Sequence, residues 1–350
     1  MKFTANPFVR LIGCLLLITT LSACDNTTEQ AYTPDSDANK ATINSTGPQG
    51  DHHDTGWPRT IGSADEKITL AAQPKRIVST SVSVTGVLLA INAPVIASGA
   101  SQPNTTVTNK DGFFTQWSDI ANQRNVQPLY HGEADAEIIA SVAPDLIIVT
   151  ATGGDSALKI VPQLKQIAPT LVVNYDDKSW QQVAEILGAA TGHEKNARHA
   201  IQQFSDQVQQ VKQSITLPPQ PVTAITYYED GSGANVWTGQ SAQGKLLTQL
   251  GFELAIIPET VKGELSQGIR KDIVQVSGEK FADALQGQSL MLFSADQRSV
   301  EQIKTNPFLN HLPPVQQNQL YALGLDTFRL DYYSASHLLT RLEKQFSQLQ

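Results

Sequence analysis

The residues best suited to chemistry in this chain are aromatics and cations near the ends of expected strands. Trp237 lies in Asn235-Val236-Trp237-Thr238, and Arg329 in Thr327-Phe328-Arg329-Leu330-Asp331-Tyr332-Tyr333. Arg270 and Lys271 fall in an expected loop of the same half; Trp117 and Arg124 lie in the first half. A guanidinium pairs with oxygens and lies over rings, while an indole stacks. Together these groups suit a flat, electron-rich anion, bound at strand ends where open α/β sheets place ligands. Taken singly, each type is more often a surface charge or a core aromatic.

Other chemistries find little support. There is no Gly-x-Ser-x-Gly elbow, no G-x-x-x-x-G-K phosphate loop, no His-Glu-x-x-His and no cysteine cluster. His131, His193, His199, His311 and His337 are scattered, unlike the ligands of a zinc site. Gly153-Gly154-Asp155-Ser156 could hold an anion on backbone N–H groups, against the commoner reading of a plain strand-to-helix turn. The pairs Tyr227-Tyr228 and Tyr332-Tyr333 could bind iron as phenolates, against the commoner reading of core or rim packing. No metal is expected on the protein itself, and no cofactor.

A long helix must organise the elements that position these residues. In Glu194 to Ile215, Ala197, Ile201, Phe204, Val208, Val211 and Ile215 recur at alternating steps of four and three, one face of a helix. Its 22 residues would make a rod of roughly 33 Å at 1.5 Å each. Gly192 and Leu217-Pro218-Pro219 punctuate its ends. Strands alternate with helices on both sides. Expected strands are 76–80, 94–99, 146–150 and 171–175, then 221–228, 234–238, 252–257, 289–293 and 319–323. Expected helices are 86–91, 135–142, 180–190, 242–250 and 332–346. This pattern predicts an α/β fold with mostly parallel sheets. The fold class is two α/β lobes bridged by one long helix, with a ligand cleft between them. An ordinary surface helix of a single domain is the alternative. A faint echo relates the halves: Glu137 opens a helix before strand 146–149, and Glu279 one before strand 290–293.

Composition narrows the setting. The chain has 350 residues, 40% of them hydrophobic, enough for two cores. Its first 23 residues contain Lys2, Arg10 and no acid; without them 23 basic residues face 33 acidic ones, a net charge of −10. Nucleic acid is therefore an unsuitable partner. Leu11 to Leu21 is apolar but too short to span a bilayer. It ends in Leu21-Ser22-Ala23-Cys24, which looks like a lipobox: residues 1–23 read as a lipoprotein signal peptide and Cys24 as the lipidated residue. Residues 24–56, with almost no large apolar residue, read as a disordered tether, with His52 and His53 incidental in it. The lobes are then 57–192 and 216–350, with the helix at 193–215. Cys14 and Cys24 are the only cysteines, so the mature body has no disulfide.

Longer runs carry a resemblance. They are Arg76-Ile-Val-Ser-Thr-Ser-Val, Ala93-Pro-Val-Ile-Ala-Ser-Gly-Ala, Ala151-Thr-Gly-Gly-Asp-Ser-Ala-Leu, Asn174-Tyr-Asp-Asp-Lys-Ser-Trp and Thr327-Phe-Arg-Leu-Asp-Tyr-Tyr-Ser-Ala. From Trp57 to about Phe346 the chain resembles the periplasmic receptors that serve ABC importers of ferric catecholate siderophores, such as ferric enterobactin. The resemblance implies the helix-bridged two-lobed fold, little hinge closure, no enzymatic activity and a monomer. It implies that Trp237, Phe328 and Arg329 contact the ferric catecholate. It also implies that Glu137 and Glu279 are lobe-tip acids offered to arginines of an inner-membrane permease with its ATPase. Two positions depart from the family: Thr106 and Thr115 stand where it places arginines, with Lys110 or Arg124 available to compensate. Family members of this kind are free in the periplasm, whereas Cys24 implies a lipid anchor, and Asp25 after it implies retention at the inner membrane. The same fold binding haem, cobalamin or a hydroxamate siderophore is the nearer rival. A metal-dependent enzyme or metal chaperone is the rival from another class, and it would need clustered ligands.

Overall fold

Leu146-Ile147-Ile148-Val149-Thr150 is buried at every position, as a strand covered on both faces must be. It is one of five parallel strands in the first lobe. The computed structural model describes residues 56–62, 67–176, 178–261 and 271–347. The signal segment, Cys24, nearly all of the expected tether and Arg270 lie outside the described residues.

In the first half, β1 (Arg59–Gly62) and β2 (Lys67–Leu70) form an antiparallel pair. The strands β3 (Ile77–Ser79), β4 (Val95–Ala100), β5 (Gln127–His131), β6 (Leu146–Thr150) and β7 (Thr170–Val173) form a parallel sheet in the order β5-β4-β3-β6-β7. Its helices are α1 (Val82–Ala90), α2 (Ser118–Gln123), α3 (Ala136–Ser141), α4 (Val161–Leu164) and α5 (Trp180–Thr191). The chain then runs through α6 (Glu194–Ser214), the helix expected from the apolar period.

The second half repeats the plan. Its strands β8 (Val222–Tyr227), β9 (Gly233–Trp237), β10 (Ile273–Ser277), β11 (Ser289–Leu292) and β12 (Leu320–Ala322) have the order β10-β9-β8-β11-β12. The helices are α7 (Ala242–Gln249), α8 (Lys280–Asp283), α9 (Gln297–Thr305), α10 (Pro313–Gln316) and α11 (Tyr332–Phe346). Strand by strand the two orders coincide, so the echo at Glu137 and Glu279 is topological: α3 precedes β6 as α8 precedes β11. The difference lies in direction, since β9 and β10 pair antiparallel where β4 and β5 are parallel.

One expected strand does not form. In 252–257 only Leu254 bridges, in parallel, to Val222. The reason is competition for the same side of β8: β9 pairs with Ile225 to Tyr227 and leaves only the first residues of β8 free there. In the other direction, β1, β2, β5, β10, α2, α9 and α10 were not among the expected elements.

The lobes, which belong to one compact unit from Asp54 to Gln350, share a core around α6. Ala197, Phe204, Val208 and Val211 are buried from that helix. Trp180 of α5 meets Phe204 edge-on at 5.2 Å and Tyr332 of α11 at 5.4 Å. Helix α11 packs on both α6 and α1, so packing as well as the chain crossing joins the lobes. Asp331 caps α11 by accepting from Ser334 N at 2.9 Å, while Ser334 Oγ accepts from Asp331 N at 2.9 Å.

Candidate functional site

Between the lobes lies a cavity of about 330 Å³. The first lobe contributes residues from the segments that leave the C-terminal ends of β3, β6 and β7: Ser83, Thr152, Gly153, Tyr175 and Lys178. These are the strand ends where parallel sheets bind ligands. The second lobe contributes Trp237 at the end of β9, Gln240 after it, Asp272 before β10, and Phe328 and Arg329 between β12 and α11.

Trp237, Phe328 and Arg329 are brought together at this cavity. Trp237 is 5% exposed and donates through Nε1 to Thr226 Oγ1 at 3.1 Å, which fixes its ring. The Phe328 ring meets it at 5.6 Å and 69° and keeps 38% of its surface exposed. The segment is held from behind by Gln243, buried on α7, whose Nε2 donates to Phe328 O at 2.7 Å and Thr327 O at 3.2 Å. Arg329 reaches across the cleft. Its Nη1 donates to the Tyr175 hydroxyl, and its guanidinium carbon lies 5.2 Å from the Tyr175 ring centroid.

A second cavity, of about 200 Å³, adjoins the other side of Phe328 and Arg329. Val107, Phe114, Gln116 and Ser294 are among its walls. Thr106 is exposed beside Val107, in the loop between β4 and α2. Thr115 lies between two of the wall residues. This side of the first lobe therefore offers hydroxyls and apolar surface where a cation was considered. Lys110 is paired with Asp111 at 2.9 Å.

The structure places the other candidates elsewhere. Trp117 is 1% exposed, with Phe113 and Phe114 ring centroids at 5.3 and 6.1 Å. It is a core residue and presents no surface to the cavity. Arg124 is exposed at the end of α2 and donates to Leu89 O at 2.9 Å, where it satisfies a carbonyl of the last turn of α1. Lys271 is exposed and contributes its carbonyl to the Thr238 hydroxyl; its neighbour Asp272 is the cavity residue. Arg270 is outside the described residues. Glu137 and Glu279 are both exposed, at the starts of α3 and α8. Among the described residues no group of three or more His, Cys, Asp or Glu could hold a metal ion. No helix of the described residues is long and apolar enough to cross a membrane.

Two features of the site were not anticipated. Tyr175 was seen only as part of a strand and of a resemblance run, and its partner lies 154 residues away. Asp155, in the Gly-Gly-Asp-Ser loop, is committed to the fold. One carboxylate oxygen accepts from the Ser81 hydroxyl, from Ser83 Oγ at 2.8 Å and from Ser83 N at 3.2 Å. Its Oδ1 is buried without a hydrogen-bond partner. The loop therefore carries a carboxylate inward, contrary to a simple anion nest. Among the described charged residues lining the main cavity, Arg329 and Lys178 face Asp176 and Asp272. With signs so balanced, an anionic ligand depends on where individual cations point.

Residues 77–327 match the family model described as periplasmic binding protein. The chain is 55% identical over 290 residues to the ferric enterobactin-binding periplasmic protein FepB of Escherichia coli O6:H1 (strain CFT073), covering 83% of this chain and 91% of that one. Over 277 residues it is 21% identical to the Fe(3+)-citrate-binding protein YfmC of Bacillus subtilis (strain 168), covering 77% and 79%. Among solved structures, holo-ViuP superposes with a TM-score of 0.76 at 36% identity, covering 84% of this chain and 97% of that one. SirA of Staphylococcus aureus, complexed with staphyloferrin B, shares the fold with a TM-score of 0.64 at 18% identity, covering 83% and 99%.

Proposed function

The chain belongs to the periplasmic binding protein family, and from that premise we propose that it is the receptor of an ABC importer for a ferric catecholate siderophore, ferric enterobactin or a close relative. The observation that carries this is the meeting of Trp237, Phe328 and Arg329 at one interlobe cavity. A ferric tris-catecholate is a trianion with flat, electron-rich faces. The aromatic pair supplies stacking surface and Arg329 a forked donor to the catecholate oxygens. The iron is cargo, held by the siderophore, and no reaction is catalysed. The similarity to FepB supports the same reading. Titration of tryptophan fluorescence with ferric enterobactin, haem, ferrichrome and cobalamin tests it, since Trp237 and Trp180 both line the cavity. Ferric enterobactin should quench at the lowest concentration; tighter binding of any of the others would overturn the assignment.

Delivery requires a permease, and the equivalent placement of Glu137 and Glu279 on the two lobes supports a paired docking surface. Exposed carboxylates at the two helix starts are free of ligand-binding duties, so their loss should separate docking from capture. Glu137→Ala and Glu279→Ala are expected to lower siderophore uptake by cells while leaving affinity in vitro within about twofold. An intact variant that lost ligand affinity would remove that residue from the docking role.

Cys24, with Leu21-Ser22-Ala23 before it, supports attachment by acyl chains, each buried CH2 contributing ~0.8 kcal/mol. Asp25 supports retention at the inner membrane, with the receptor working as a monomer. Cys24→Ala is expected to abolish acyl labelling and leave the precursor unprocessed. Normal labelling of that variant would rule out this anchor.

A further inference from the structure

Tyr175 stands on the segment between β7 and α5, facing Arg329 from the opposite lobe. Its oxygen accepts an N–H from the guanidinium, and its ring lies beneath the guanidinium carbon. A phenol that accepts in this way keeps its own O–H proton to donate. Among the described residues nothing accepts that proton.

The loop after β6 is shaped around this pair. A Cβ at Gly153 would come within 2.5 Å of the Tyr175 hydroxyl, 2.8 Å of Asp155 Oδ1 and 3.7 Å of Arg329 Nη2. Phenol, carboxylate and guanidinium thus converge on one bare glycine, whose φ of +100° is itself unfavourable for other residues. Asp155 is fixed by Ser81 and Ser83, so its unpaired Oδ1 holds a set position beside Gly153, on the same side of the loop as the Arg329 guanidinium. An arginine alone would sample many rotamers and lose that freedom on binding. Held over a ring and against a hydroxyl, it is already ordered.

We propose that Tyr175 is a positioning residue for ligand capture: it holds the Arg329 guanidinium in the cleft, so that the guanidinium fork and the phenolic proton meet the ligand's oxygens as one preformed donor set. The proposal rests on the cleft being the ferric catecholate site. It makes discrimination a matter of ligand charge. A trianion gains from both donors, whereas an uncharged hydroxamate complex gains little from an oriented cation.

The alternative is that the contact merely latches the lobes together. The two are separated by titrating ferric enterobactin into wild type, Tyr175→Phe, Arg329→Ala and the double variant, with melting temperatures measured alongside. Tyr175→Phe keeps the ring and removes the hydroxyl. It is expected to weaken binding about threefold to tenfold without lowering the melting temperature. In the Arg329→Ala background the same change should cost clearly less than in the wild type, because the group it orients is gone and only the phenol's own O–H contact is lost. Wild-type affinity in Tyr175→Phe, with Arg329→Ala still weakened, would overturn the role of Tyr175 and leave the cleft assignment standing. Equal losses in both backgrounds would also overturn it, since Tyr175 would then act independently of Arg329. Wild-type affinity in Arg329→Ala would overturn the cleft assignment and this proposal together.

Discussion

Arg329→Ala is expected to weaken ferric catecholate binding at least tenfold. Removing a hydrogen-bonding partner from a charged group costs about 1.5–3 kcal/mol, which is roughly tenfold to more than a hundredfold in affinity. The balanced wall of the cavity makes this residue matter more than it would in a strongly basic cleft. Arg329→Lys should recover only part of the loss. A lysine supplies a point charge, without the planar fork or the stacking over the Tyr175 ring. Raised salt should weaken wild-type binding less than it would a surface attraction, because a pair shielded between lobes is poorly screened. Titration of the three proteins at two salt concentrations checks all of this. If all three bind alike, the ligand sits elsewhere.

The second large effect concerns stability and pH. Asp331 is buried between the lobes, against Gly86 of α1 and within 3.4 Å of Gln116 Nε2. Burial raises its carboxyl from the usual 3.8 to about 6, partly offset by the hydrogen bonds from Ser334 and Gln116. A carboxyl raised in the folded state binds its proton more tightly there than in the unfolded chain. Its stabilising contribution is therefore complete below pH 3.8 and is lost as pH rises through about 6. Asparagine caps a helix as well as aspartate does, and carries no charge to bury. Relative to wild type, Asp331→Asn should gain on the order of 2–3 kcal/mol between pH 4 and pH 8. Denaturant unfolding of both proteins across that range gives the difference directly. A difference that stays constant with pH would show that Asp331 ionises as freely in the folded protein as in the unfolded chain.

What the sequence made legible followed the strength of its periodicities. Helix α6 was predicted to within a residue because five apolar steps hold one face over about five turns. The central strands β3, β6, β8 and β11 were found because they are buried on both faces. The edge strands β5 and β10 were not, since each is half-exposed and mixed: Gln127-Pro-Leu-Tyr-His buries only Leu129 fully. The site divided along similar lines. Trp237 and Arg329 stood out by type, and strand ends gave their location. Trp117 has the same chemistry by type, and only its contacts with Phe113 and Phe114 assign it to the core. The aromatics three and four positions before it were the available signal. Tyr175 could not be paired from sequence, because its contact with Arg329 depends on how the lobes meet.

The apolar core around α6 belongs to neither lobe. It runs from Ile77 and Leu88 through Trp180 and Phe204 to Leu338, Leu342 and Phe346. Cut after α6, the first lobe would expose the side of Trp180 that Tyr332 now covers, and α11 would lose the surface on which it lies. The repeat visible in the strand orders is therefore a unit of architecture, whereas the unit of cooperativity is the whole globule. Neither sheet can melt while its neighbour stays intact without opening the seam between α6 and α11.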